Sequence, residues 1–163
     1  MMRRRVNRWR RPSRGAIVSA IVALLTLVAV TPVLAQQPPE AGRTRVVSGS
    51  VLVVRAGQES PLRAGQPVFE GDQLRTGPDG SLGITFIDDT RLALGPNTNV
   101  NVTRYLYEPA ENRLGLVLNV VRGVVAYVSG RLAKFAPDSV RLETPAAIVG
   151  VRGTSLAIAV EEP

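Results

Sequence analysis

The chain contains no cysteine and no histidine. Disulfides, Cys/His zinc sites, thiolate nucleophiles and imidazole general bases are excluded at once. Lysine occurs once, at Lys134, and no Ser-x-x-Lys spacing precedes it. Aromatics are scarce: one Trp, three Tyr and three Phe. Trp9 lies in a basic leader, so the core is expected to be Val, Leu and Ile with Phe69, Phe86 and Phe135. Without disulfides, an exported domain of this kind has to rely on that core for its stability.

Charge of one sign is missing from the N-terminus. Residues 1–35 hold seven arginines and no acid, and the other 128 residues hold 13 basic and 13 acidic side chains. The net charge of +7 therefore belongs to the leader, and the rest of the chain is neutral overall. No basic surplus remains there to follow a phosphate backbone, so a nucleic-acid partner is not expected. Residues 16–30 are an uncharged apolar run, followed by Pro32, small residues at Val33 and Ala35, and a Gln-Pro stretch. This is the pattern of a signal peptide cut after Ala35. The alternative is an uncleaved anchor, because residues 16–35 are about long enough to span a bilayer with the arginines inside. Both readings put residues 36–163 outside the inner membrane, in the periplasm or secreted, and limit membrane contact to residues 16–35.

Residues 36–44 are Pro-rich and polar and read as a linker. From residue 45 the pattern is short β-runs separated by turn residues. Leu82, Ile84 and Phe86 alternate, as do Leu114, Leu116, Leu118 and Val120. Asp88-Asp89 and Gly95-Pro96-Asn97 supply turn chemistry. Residues 130–138 read as a packed loop. No stretch after residue 44 shows a helical period with caps. The spacing predicts an all-β fold: a single domain over 45–163 of about a dozen short strands, as a rolled sandwich or short β-solenoid, following an N-terminal signal or anchor helix.

Few side chains offer chemistry. Asp72, Asp88 and Asp89 could form a carboxylate pair for a hydrolase, but Asp88-Asp89 falls between two alternating runs, where Asp makes turns. Asp79, Asp88 and Asp89 lack calcium-loop spacing. Tyr105 and Tyr107 suit cross-strand packing better than ligand stacking. The least generic stretch is residues 144–154, TPAAIVGVRGT. It is not a phosphate loop, because no helix follows it. It reads as a tight, mostly buried β-element, with Gly150 and Gly153 for close backbone approach and Arg152 held inside by backbone carbonyls and an acid such as Asp72 or Asp88.

Four stretches together resemble one family, the FecR domain. They are GDQLRTG at 71–77, FIDDTRLALGPNT at 86–98, VRGVVAY at 121–127 and the closing 144–154. The motif residues singled out, all with a structural reading, are Gly71, Asp72, Thr76, Asp88, Gly95, Gly123, Thr144, Pro145, Gly150, Arg152, Gly153 and Thr154. Asp89 stands where the family usually has Gly, which an Asp in the left-handed region can replace. The resemblance implies an all-β periplasmic domain that, in the founding regulators, relays a signal from an outer-membrane receptor to a cytoplasmic sigma factor. Only about 14 basic and polar residues precede the apolar run, so the sigma-binding segment of those regulators is not expected.

The resulting expectation is an exported, non-enzymatic FecR-like module of the bacterial envelope. It would need no cofactor and no metal, and its partner would be an envelope protein or a cell-wall glycan. The alternatives are a membrane-anchored periplasmic sensor and, last, a carboxylate hydrolase.

Overall fold

The computed structural model describes residues 38–151 and 155–161. The expected signal peptide, and Arg152, Gly153 and Thr154 of the closing motif, lie outside the described residues. The fold is all-β, as the alternating runs predict. Twelve strands run in order: β1 (Glu40–Ser48), β2 (Val51–Arg55), β3 (Gln58–Pro61), β4 (Pro67–Phe69), β5 (Gln73–Thr76), β6 (Ser81–Phe86), β7 (Arg91–Leu94), β8 (Asn99–Glu108), β9 (Arg113–Val128), β10 (Val140–Glu143), β11 (Ile148–Gly150) and β12 (Ser155–Val160). One short helix, α1 (Arg131–Phe135), and two 3-10 turns interrupt them.

The 16-residue β9 organises the sheet. Its first half pairs antiparallel with β8 on one edge and parallel with β10 on the other. Its second half, from Gly123 on, pairs with β7 and β12. The path β3-β2-β5-β8-β9-β7-β6-β1-β4 then makes one long ladder that β9 divides into two halves. A flat sheet of this size would expose one whole apolar face. Instead the sheet rolls, and a single cluster joins Leu74, Val100, Leu116 and Leu118 of one half to Ile84, Phe86, Leu92 and Tyr127 of the other. Full burial of each such side chain stabilises the fold by about 1.5–3 kcal/mol. The Phe86 and Tyr105 rings stack across the halves with centroids 5.3 Å apart.

Four expectations need correction. β1 starts at Glu40, inside the stretch expected to be a linker, and Ala41 and Thr44 are buried. Residues 40–44 belong to the sheet because they pair with both β4 and β6. Residues 130–138 contain a one-turn helix rather than only a loop, and only Leu132 of that helix is buried. Phe135 is 66% exposed and is not a core residue. The closing stretch is not mostly buried: Pro145, Ala146, Ala147, Ile148 and Gly150 are exposed, and Val151 alone among its described residues is buried. The reason is its position. Among the described residues β11 pairs only with β10, so it is an edge strand there.

Candidate functional site

The motif residues fall into two groups. The first group sits in buried polar nodes. Asp72 has no exposed surface, and Arg55 of β2 grips it with two bonds, Nε to Oδ1 at 2.7 Å and Nη2 to Oδ2 at 2.8 Å. The Phe69 amide donates to the same carboxylate at 2.9 Å, and the Arg55 guanidinium lies 4.3 Å from the Phe69 ring centre. The carboxylate raises the pKa of Arg55, chiefly through this hydrogen bonding. Gly71 tethers the node to β8 by donating to the Val102 carbonyl. The sequence alone offered Asp72 or Asp88 as the acid beside Arg152. Arg55 was missed because 17 residues separate the two partners, and only the β2–β5 register brings them together.

Asp88 forms a second node, also fully buried. Its carboxylate accepts from the Thr90 hydroxyl at 2.6 Å, the Leu132 amide at 3.2 Å and the Tyr105 hydroxyl at 3.2 Å. Its backbone carbonyl accepts from the Arg131 amide at 2.7 Å, which docks α1 on the β6–β7 turn. Burial, then the neighbouring Asp88 carboxylate, pushes the Tyr105 pKa far up. Asp89 turns outward at φ +67°, in the left-handed region, and pairs with Arg131 at 2.9 Å. The two adjacent carboxylates therefore occupy opposite environments and do not face one another.

The third node is the corner where β9 passes from one half-sheet to the other. The Thr76 hydroxyl donates to the Gly95 carbonyl at 2.6 Å and accepts from the Thr98 amide at 2.9 Å. The Thr98 hydroxyl bonds both the amide and the carbonyl of Val124, and the Gly95 amide donates to Val124 as well. Gly123 lies directly against Thr98 at φ +95°. A side chain there would enter Thr98 itself.

The second group is the closing stretch. Thr144 and Ala147 close the β10–β11 turn with main-chain and hydroxyl bonds of 2.8–3.1 Å, and Pro145 occupies the position where a fixed φ favours a turn. Between residues 144–147 and the end of β12 is a largely apolar cleft of about 470 Å³, walled also by Val149, Ile158 and Val160. β12 itself, SLAIAV, carries no charge and no proline, and Ala157 and Ala159 are exposed. It pairs with β9 on one edge, and its other edge pairs with no strand among the described residues. This exposed end of the sheet is the candidate site.

The model of the FecR family, described as FecR protein, matches residues 72–163. The chain belongs to the FecR family. The match begins at the buried Asp72 and takes in the second and third polar nodes as well as the cleft, while Arg55 and Phe69 of the first node precede it. Strands β1 to β4 precede it, yet they complete the same core. A cell surface anchoring domain of solved structure is similar to this chain at 36% identity, over 39% of this chain and 84% of that one, with a TM-score of 0.38. No curated protein matches. Membership in the FecR family fits an envelope module that signals or binds. Among the described residues no helix is long and apolar enough to cross a membrane, and no group of acidic side chains could hold a metal ion.

Proposed function

We propose that this FecR-family chain is a non-enzymatic binding module of the periplasm or outer envelope, and that it takes an extended segment of a protein partner at the β12 edge. The observation that carries this reading is the edge of β12, uncovered by any described strand, beside the apolar cleft. A row of unpaired backbone donors and acceptors is a template for another strand. Natural edge strands are usually protected by charge, proline or a bulge, and β12 has none of these protections. Strand addition would take its affinity from main-chain bonds, while the cleft at residues 144–147 would receive an apolar side chain and set specificity.

The carboxylates support a non-enzymatic reading. Asp72 and Asp88 are engaged by protein donors and shut off from solvent, so neither can act on a substrate in this arrangement. A membrane-anchored signalling role would depend on residues 1–35, outside the described residues.

The test places a photo-crosslinking amino acid at Ala159 and, as a control, at Lys134 in full-length protein, within envelope fractions. One discrete protein adduct from position 159, absent from 134 and lost when Ala157→Lys is added, is the expected result. Slowed amide exchange along β12 in the adduct would accompany it. Equal labelling from both positions, or unchanged exchange at β12, would refute strand addition.

A further inference from the structure

The outer edge of β12 presents a fixed pattern of backbone groups, set by its pairing with β9. The Gly95 amide donates to the Val124 carbonyl, so Val124 turns its backbone groups toward β7, and Val125 and Tyr127 turn theirs toward β12. Ile158 and Leu156 lie directly opposite Val125 and Tyr127 and face them. The donors and acceptors of Ser155, Ala157 and Ala159 therefore point to the edge that no described strand covers. The side chains divide with the same period. Ala157 and Ala159 are exposed on the outer face, while Leu156, Ile158 and Val160 are half-buried on the inner face beside the core.

A strand added there has to match both alternations, because directly opposite residues of an antiparallel pair share a face. A second copy of residues 155–161, SLAIAVE, does so when the two strands cross at Ile158. Ile158 then meets Ile158, Leu156 meets Val160, Ala157 meets Ala159 and Ser155 meets Glu161. Each inner-face apolar residue finds an apolar neighbour. The edge-directed groups of Ala157 and Ala159 exchange about four main-chain bonds at the centre of the joint. Leu156 of the second copy stands beside Val160, toward the cleft walled by Val149, Ile158 and Val160. Charge agrees with this register. Residues 155–161 carry one charge, Glu161, and its two copies end about 20 Å apart, at opposite ends of the joint.

We infer that the strand taken up at this edge is β12 of a second copy of this chain, in a two-fold antiparallel pair centred on Ile158. The inference rests on the proposed strand addition and names its occupant. The joint is about 24 Å long and about 10 Å, one sheet, thick, so its footprint is about 240 Å² per copy. A standard stable interface covers about 800 Å² per partner. The pair is therefore a reversible one that forms and separates at about micromolar concentration.

The absence of cysteine makes the register testable by single introduced thiols. Each variant is expressed as the full-length chain, purified from the envelope fraction as the cell makes it, and mildly oxidised. At the centre of the joint the two Ile158 Cα atoms stand about 4.5 Å apart, within disulfide reach. Ile158→Cys is expected to give a covalent dimer, and Lys134→Cys is not. Ala157→Cys alone and Ala159→Cys alone hold their Cα atoms about 8 Å apart, beyond reach, whereas an equal mixture of the two is expected to crosslink. Ala157→Lys is expected to cut the Ile158→Cys dimer about tenfold at an unchanged melting temperature, because the charge enters the joint twice. No dimer from either Ile158→Cys or the mixture overturns the inference. So does a dimer from Ala157→Cys alone as abundant as that from the mixture. The photo-crosslink at position 159 separates this failure from that of strand addition: an adduct with a different protein leaves strand addition standing with a foreign partner, and no adduct removes both.

Discussion

Gly123→Ala and Gly150→Val test whether the fold depends on its corner or on its closing motif. The sequence reads Gly150 as a point of close backbone approach, predicts that Gly150→Val unfolds the domain, and marks Gly123 only as a motif residue with a structural reading. The structure separates them. At Gly123 a Cβ would stand 2.5 Å from Thr98 Cα and nearer still to the Thr98 hydroxyl oxygen, and φ is +95°. A left-handed non-glycine residue costs about 1–2 kcal/mol and overpacking costs about 1–3 kcal/mol more. Thr98 cannot move aside without losing its bonds to Val124 and Thr76, at about 1 kcal/mol each. The sum is about 4–7 kcal/mol, comparable with the whole stability of a marginal domain. At Gly150 nothing lies within 4 Å of an added Cβ and φ is not positive, so Val in this edge strand is expected to change stability by no more than about 0.5 kcal/mol. Urea unfolding followed by circular dichroism reads both. A Gly123→Ala protein with a native midpoint, or a Gly150→Val protein that fails to fold, would refute the assignment of the corner as the structural point and the closing hairpin as the exposed one.

Two further perturbations address the buried nodes. Arg55→Met leaves the Asp72 carboxylate buried with only the Phe69 amide to satisfy it. Because Arg55 keeps 41% of its side chain exposed, the expected loss is about 2–3 kcal/mol rather than the larger cost of a fully sealed pair; a drop in urea midpoint checks it, and Arg55→Met with Asp72→Asn should recover part of the loss. The raised pKa of Tyr105 means that folding favours its neutral form. That stability is fully present below the ordinary tyrosine pKa of about 10 and is lost progressively as pH rises above it toward the raised folded-state value, so the melting temperature should fall from about pH 10 upward, and Tyr105→Phe should flatten that fall.

Much of this architecture was legible in the sequence. Period-two alternation at Leu82, Ile84 and Phe86 and along residues 114–120 determined strands with one buried face, because any one-residue slip would expose the whole set. The turn at Asp88-Asp89 followed from residues that tolerate local backbone bonding, and Asp89 adopts the left-handed region expected of it. Charge counting confined the basic surplus to residues 1–35 and left the remainder neutral.

Other features depend on partners distant in the chain, which local pattern cannot name. Arg55 meets Asp72 only through the β2–β5 register, and Tyr105 meets Asp88 only because the two half-sheets close on one another. Phe135 looks like core in composition, but it ends on the solvent side of a one-turn helix whose Leu132 faces inward. The closing stretch resembles a buried strand because covered and uncovered strands alike can be built of small apolar residues without charge. What separates the two is how many neighbours the strand has, and β11 has only one among the described strands. Sequence alone thus determined which residues form strands and which face of each is apolar. Tertiary structure decided which apolar surfaces remain uncovered, because strand order and the bend at Gly123 set what each surface meets.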